Sequence, residues 1–286
     1  MNKNKPSCVL VTGAARGIGR RLVERAILRG DFTVAVVRKD SDLNAFGEHP
    51  NLRVVVMDFA DTQSVERGFA QVDQELEGRD LKVVVHCAAI SGPGAVEITS
   101  VEKFQQVINT NTLGSLRLLK QSIPRLRGHG GRVVLVTSLW GQASGPLLGA
   151  YCASKHAIES LADTLRRETR GMNLHVVVAE PGVVQTDMLE DQASFVNEHV
   201  GRLPPSMREQ YENLYLRYHK LVSTVKGIDT DACSEGLERA MFSAKPRLRY
   251  QIGGDSKIVC FLNWLLPARL MDFVMGLSLN NKALKP

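Results

Sequence analysis

The sequence of 286 residues has seven histidines but no HExxH and no histidine pair at ligand spacing, and its cysteines form no CxxC, so the usual zinc donor patterns are missing. No metal is expected. The five cysteines, Cys8, Cys87, Cys152, Cys233 and Cys260, are odd in number and widely spaced, and read as buried thiols of a reducing compartment without disulfides. Aromatic residues make up only 6%, and no basic stripe with interleaved aromatics appears, which argues against nucleic acid as a partner. The net charge of +6 is scattered along the chain, an arrangement suited to a small anionic ligand. No apolar run is long enough to cross a bilayer: the most apolar stretch, Lys257 to Leu279, is interrupted by Pro267, Arg269 and Asp272. This tail (257–286 with its polar end) either packs on the core or makes peripheral contact with a membrane surface. Met1 to Ser7 is polar and basic and runs straight into an apolar strand, leaving no room for a secretory leader, so a cytoplasmic protein is expected. There is no solenoid repeat, low-complexity tract or Pro/Gly/Ser-rich linker, and a content of 44% hydrophobic and 23% charged residues fits one large domain spanning 1–286.

Against these absences stands a regular alternation. Cys8 to Val11 is an apolar run ending in Thr12-Gly13; Ile18, Leu22 and Ala26 then recur at helical spacing, Gly30 closes that helix, and Phe32 to Val37 reads as the next strand. Further strands are expected at Leu52–Met57, Lys82–Val85, Arg132–Val136 and His175–Ala179, with helical stretches between them, and Leu248–Ile252 is a candidate seventh. The valine runs are continuous rather than alternating. That implies strands covered on both faces, hence an α/β fold with a doubly wound parallel sheet of Rossmann-like type. From Asp187 to Thr224 the rhythm breaks into a long polar stretch with Pro204-Pro205 in its middle, read as a helical substrate cap (187–230 with its connection) over a pocket.

Several residues in this frame carry chemistry. Gly13, Gly17 and Gly19 follow the first strand; they let the backbone turn tightly and approach a pyrophosphate at a helix N-terminus, or else form merely a tight strand-to-helix turn. At the end of the second strand an NAD site usually has an acid for the ribose hydroxyls, but here Val37 is followed by Arg38 and Lys39. Those cations, with Arg16 in the glycine turn, favour NADP(H) over NAD(H); the alternative is that they are solvated and Asp40 or Asp42 serves the ribose. Asp58, just past the third strand, either accepts from an adenine amino group or is a plain strand-end or helix-capping aspartate. Ser138 after the fifth strand is a candidate for polarising a carbonyl oxygen, and otherwise a turn residue. It has no G-x-S-x-G elbow around it and is not read as a hydrolase nucleophile. Asn111, in mid-helix with Gly114 three residues on, either bends the helix and holds water or is a passive polar residue. Tyr211, Tyr215 and Tyr218 recur at helical spacing, as a packed face or as the lining of a lipophilic pocket. Finally, Tyr151-Cys152-Ala153-Ser154-Lys155 places a phenol and an ammonium on one helix face, close enough for the charge to favour the tyrosinate. A tyrosine with its free pKa of ~10 is a poor proton shuttle at neutral pH; a lowered one is a usable acid or base.

Five features agree in order and spacing: Thr12-Gly13-x-x-x-Gly17-x-Gly19, Asn111-x-x-Gly114, Ser138, Tyr151-x-x-x-Lys155, and Pro181-Gly182 followed by Thr186. Together they resemble the short-chain dehydrogenase/reductase family, over about Cys8 to Met188. Leu203-Pro204-Pro205, Tyr211, Lys245-Pro246-Arg247-Leu248-Arg249-Tyr250, Asp255-Ser256-Lys257 and Leu265-Leu266-Pro267 look like its retinol and hydroxysteroid dehydrogenase branch. One departure is His86-Cys87-Ala88-Ala89, where the family usually has Asn-Asn-Ala-Gly.

The resemblance implies an NADP(H)-dependent oxidoreductase that interconverts an alcohol with its aldehyde or ketone on a lipophilic, retinoid- or steroid-like substrate. In it Tyr151 is the acid/base, Ser138 orients the substrate oxygen, Lys155 lowers the tyrosine's pKa and holds the ribose, and Asn111 orders a water path to Lys155. The same resemblance places cofactor contacts at Thr12, Gly13, Arg16, Gly17, Ile18, Gly19, Arg38, Asp58, Ala88, Pro181, Gly182 and Thr186, as well as at Tyr151 and Lys155, and implies a homo-oligomer. The rival readings are a ketoreductase of 3-oxoacyl or polyketide type and a non-catalytic NADP(H)-binding sensor.

Overall fold

The computed structural model describes residues 7–201 and 203–278; Met1 to Pro6 and the end of the expected tail, 279–286, lie outside the described residues. Seven strands, β1 (Cys8–Thr12), β2 (Phe32–Val37), β3 (Leu52–Val56), β4 (Val83–His86), β5 (Gly131–Val136), β6 (Leu174–Pro181) and β7 (Arg249–Ile252), form one sheet in the order β3-β2-β1-β4-β5-β6-β7. Every pairing is parallel. Strand residues alternate between faces, and both faces are covered. Val9 and Val11 pack with Leu22, Val23, Leu237 and Met241, from α1 (Gly17–Leu28) and α8 (Thr230–Phe242). Leu10 packs with Phe69, Leu118 and Ile158, from α2 (Thr62–Glu75), α4 (Gly114–Leu126) and α5 (Gly149–Glu168) on the other face. Each such aliphatic side chain, fully buried, contributes roughly 1.5–3 kcal/mol, which is why a two-sided sheet is written in unbroken valine runs rather than alternation.

The strand order reverses between β1 and β4, so the turns leaving β1 and β4 diverge and open a crevice at the carboxyl edge of the sheet. β6 runs two residues beyond the expected end at Ala179. The parallel ladder with β7 carries it on, pairing Glu180 with Gln251 and Pro181 with Ile252.

Asn111 lies where its helix departs from regular α-helical form. α3 (Val101–Ile108) and α4 are joined by a π-helical turn, Asn109–Leu113, in which the Ser115 hydroxyl donates back to the Asn111 carbonyl at 2.6 Å.

The stretch from Asp187 forms two helices, α6 (Asp187–Val200) and α7 (Pro205–Thr224), with Pro205 in the first turn of the second, where its missing N–H costs no hydrogen bond. Leu203, Tyr215, Tyr218 and Val222 make a third apolar cluster with Leu147, Leu148, Tyr151 and Cys152, so the cap closes over the start of α5. The tail forms α9 (Gly254–Leu265) and α10 (Ala268–Ser278), broken at Pro267. Ser256, Cys260 and Met271 are buried, whereas Ile258, Phe261, Trp264, Leu265, Leu270 and Leu277 are exposed. No helix among the described residues is long and apolar enough to cross a membrane.

Candidate active site

A cleft of about 550 Å³ lies in the crevice beside β1. Of the residues expected to hold the cofactor, Gly13, Arg16, Gly17, Ile18, Gly19, Arg38, Asp58, Ala88 and Thr186 line it. The glycine turn is required by its packing. Gly13 and Gly17 have φ of +65° and +57°, left-handed values that side chains disfavour. A Cβ on Gly13 would also sit 2.9 Å from the Ala88 amide nitrogen, and one on Gly19 would run into the Gly13 carbonyl. Nothing larger than hydrogen fits while β1 and β4 stay paired. The first turn of α1 has no side-chain cap, which leaves its amides for an anion.

Thr12 lies behind this wall, fully buried. Its Oγ1 accepts from the Ala88 N–H at 3.2 Å and is 2.8 Å from Nδ1 of His86. The tie between strand ends therefore persists although His86-Cys87 departs from the family pattern. Burial holds the His86 imidazole far below its ordinary pKa, at about 3, so it adds no charge.

At the end of β2, Arg38 and Lys39 are exposed, and both line the cleft, as does Asp42. Asp40 is not among the lining residues. Arg16 is placed differently from expectation: its guanidinium is 3.6 Å from Asp187 and 2.9 Å from Asp191 of the cap helix α6. These exposed pairs are weak, well under about 1 kcal/mol each, and a phosphate dianion would compete for the arginine. Asp58 does not cap the following helix, whose N-cap is Asp61; it sits at the strand end, with Oδ1 accepting from the Ala60 N–H at 2.9 Å, and lines the cleft.

The hydroxyl and amine groups converge next to this cleft. Val136, which ends β5, lines it; its carbonyl accepts from Lys155 Nζ at 2.9 Å. Lys155 is buried, and its ammonium lies 5.5 Å from the centre of the Tyr151 ring. Ser138 follows β5, is buried, and donates to the Pro181 carbonyl at 3.5 Å. Asn111 is nearly inaccessible: Oδ1 accepts from the Ile90 N–H, and Nδ2 donates to the Ile90 carbonyl and to Ser154 Oγ, each at 2.9 Å. Both amide protons are thus committed to protein, one of them to Ser154, whose own hydroxyl donates to the Tyr151 carbonyl at 2.7 Å. Ser154 was not singled out from the sequence, though it sits three residues past Tyr151 where a helical side chain can reach back.

The electrostatics correct one expectation. Tyr151 is not made acidic by its lysine: burial pushes the phenol up to about 12, only partly opposed by the Ser138 hydroxyl. Burial equally pulls Lys155 down to about 8. Desolvation outweighs the attraction between the two, because the ammonium is directed at Val136 rather than at the phenol oxygen. Pro181 and Gly182 also differ from expectation, since neither lines the cleft. A Cβ on Gly182 would collide with the Asp255 carboxylate, whose Oδ2 accepts from the Val183 N–H at 2.6 Å.

A reversed-order parallel sheet, a glycine cradle at its switch point and a buried Ser, Tyr and Lys beside it define a nucleotide-dependent oxidoreductase. The profile of the short chain dehydrogenases matches residues 7–197, and the chain belongs to that family, which uses NAD(P). It is 30% identical over 280 residues to retinol dehydrogenase 5 of Homo sapiens, covering 93% of this chain and 87% of the relative. It is 26% identical over 272 residues to an NADPH-dependent 3-dehydrocapnine reductase of Ornithobacterium rhinotracheale, covering 92% and 94%. A crystal structure of a short chain dehydrogenase from Burkholderia cenocepacia in complex with NADP superposes with a TM-score of 0.73 at 19% identity, covering 98% of this chain and 99% of that one, a likeness of fold.

Gly13→Ala is expected to cost about 1–3 kcal/mol of backbone strain and to weaken dinucleotide binding more than ~10-fold. Thermal unfolding and a fluorescence titration with NADPH check the two effects.

Proposed function

We propose that the chain is an NADP(H)-dependent reductase or dehydrogenase that interconverts an alcohol with its aldehyde or ketone on a lipophilic, retinoid- or steroid-like substrate. The observation that carries this reading is the burial of Tyr151 among Leu147, Leu148, Tyr215 and Tyr218, with Ser138 beside it and the cleft behind it. An apolar substrate would leave water to enter that cluster, with its oxygen as its one polar handle. The similarity to retinol dehydrogenase 5 supports the substrate class.

The bound nicotinamide would supply or accept the hydride. Tyr151 would hand its proton to the substrate oxygen during reduction, and a phenol kept protonated by burial is the form that direction needs. Ser138 would orient the oxygen. Lys155, whose Nζ bonds the carbonyl of the cleft-lining Val136, would hold the ribose, and its charge would act on the phenol once substrate displaces water. Asn111 would fix the start of α5 through Ser154, and its water path to Lys155 stays part of the proposal.

For the cofactor, Arg38 and Lys39 at the cleft wall support a 2′-phosphate, with Arg16 released from Asp187 and Asp191 to join them. The NADPH-dependent relative and the NADP complex of the structural neighbour point the same way.

Two further contacts belong to this reading. The outward stripe of Ile258, Phe261, Trp264 and Leu265, flanked by Lys257 and Arg269, supports peripheral contact with a membrane surface, a natural source of lipophilic substrate. Exposed Leu113 and Leu116 beside the Asn111 turn support pairing of two copies through that helix.

Tyr151→Phe should lower kcat by ~10²–10⁴-fold with NADPH affinity kept, in a spectrophotometric assay over retinoid, steroid and fatty aldehydes. Unchanged turnover on the preferred substrate refutes the mechanism. Arg38→Asp should weaken NADPH ~10–100-fold and NADH far less; equal losses contradict a phosphate site. In liposome flotation the wild type should rise with the vesicles and the double variant Phe261→Ser, Trp264→Ser should stay below.

A further inference from the structure

Two buried glutamates and a half-buried arginine lie beside the strand ends of the candidate active site, and the mechanism above uses none of them. Glu180 of β6 is fully buried and Glu159 of α5 nearly so. Both meet one cation from β7: Arg249 Nε donates to Glu159 Oε2 at 3.1 Å and lies 3.3 Å from Glu180 Oε1. Arg249 also donates to Asp163 at 3.0 Å. Asp163 is half-buried and has Arg166 at 3.1 Å and the exposed Arg167 at 3.8 Å as further partners. From α9 the pair is faced by the buried thiol of Cys260, while Asp255 is engaged with the Val183 amide. The centre therefore holds two buried carboxyl groups and a single half-buried guanidinium.

Lys155, one turn back on α5, also acts on Glu159, but its ammonium is bonded to the Val136 carbonyl, so two ionised carboxylates there would leave Glu180 poorly compensated out of water, which is costly. The hydrogen bonds show where the proton sits. Glu159 is well served as a carboxylate, with Oε1 accepting from Thr137 Oγ1 at 2.6 Å and Oε2 from Arg249. Glu180 Oε1 accepts from Gln142 Nε2 at 3.1 Å, whereas Oε2 has no partner. A bare buried oxygen is tolerable on a neutral acid and expensive on an anion. Burial and the neighbouring Glu159 push Glu180 up to about 7, against Arg249, Gln142 and Gln251.

The pair also grips the chain on both sides of Ser138. Thr137, which holds Glu159, precedes it; Gln142, which holds Glu180, follows it by one turn. Glu180 itself precedes Pro181, whose carbonyl accepts the Ser138 hydroxyl. Glu159 lies one helical turn past Lys155 and two past Tyr151 on the same face of α5.

We propose that Glu180 and Glu159 share one proton, with Glu180 as the neutral acid, and that this pair, bridged by Arg249, is the positioning device for Ser138. The positioning half rests on the reading of Ser138 given above; the shared proton does not. A carboxyl whose folded pKa stands above its unfolded one binds its proton more tightly in the fold. Its contribution to stability therefore declines as pH rises from the ordinary carboxylate range to about 7, and is constant above. Glu180→Gln has the shape of the neutral acid and no proton to lose.

The test is thermal unfolding of wild type and Glu180→Gln from about pH 5 to about pH 8, with infrared detection of the protonated carboxyl. The wild type should lose stability relative to the variant up to about pH 7, with the gap then constant. A carboxylic carbonyl band should persist in the folded wild type below about pH 7, fade around that pH, and be absent from the variant. Parallel stability curves, or a band that persists in Glu180→Gln, overturn the shared proton. Glu159→Gln provides a second reading that does not need the first variant to fold: removing its charge should move the fading of the band to lower pH, and an unmoved band again overturns the proposal. For positioning, Thr137→Val should lower kcat about tenfold with the Kd for NADPH unchanged, and an unchanged kcat overturns that half. Ser138→Ala with full turnover would instead refute the catalytic reading of Ser138 and leave the titration of the pair standing.

Discussion

The bond from the Lys155 ammonium to the Val136 carbonyl is the constraint on which the site depends. A buried ammonium without an acceptor costs several kcal/mol, so the lysine must find one, and the end of a parallel strand offers it. The carbonyl is available because β5 stops there and the next amide, Thr137 N–H, turns to the Ala179 carbonyl of β6 at 2.8 Å. Through this bond α5 is held against the carboxyl edge of the sheet. Tyr151, one turn earlier on the same helix, and Ser138, two residues past Val136, are thereby brought to one place.

Desolvation then sets the charge of each group, in opposite directions for acids and bases. Tyr151 rises to about 12 and Glu180 to about 7, while Lys155 falls to about 8 and His86 to about 3. At the reactive end the Lys155 ammonium is the one charge among these four groups near neutral pH, while Arg16, Arg38 and Lys39 line the outer wall of the cleft together with Asp42, Asp58 and Asp187. An anionic ligand is met by exposed cations at its solvent end and, at its reactive end, by uncharged hydroxyls with the single Lys155 ammonium behind them. This division suits a reaction in which a proton and a hydride are moved between uncharged oxygen and carbon centres.

The cap and tail follow a different rule from the sheet. Their helices are held by apolar contact on one side only, with the tyrosine tips tied off: Tyr215 OH accepts from the Ala95 N–H at 2.9 Å and Tyr211 OH donates to Glu97 at 2.6 Å. Tyr211, Tyr215 and Tyr218 are thus a packed face whose polar ends are satisfied. The apolar surface of α9 that looks outward has no such counterpart among the described residues.

The sequence by itself determined the elements with local causes. Unbroken valine runs need two covered faces, Gly13 and Gly17 mark left-handed backbone, Pro204-Pro205 separates two helices, and the Tyr151 to Lys155 spacing fixes a shared helix face. All of these depend on neighbours within a turn or a strand. What only the tertiary structure decided depends on residues far apart in the chain. Arg16 pairs with Asp187 and Asp191, Ser154 links Asn111 to Tyr151, and Glu159, Glu180 and Arg249 meet in one buried centre. The sign of the Tyr151 shift belongs with these. Spacing places a charge near the phenol, but burial is a sum over every element packed around it, and here that sum wins.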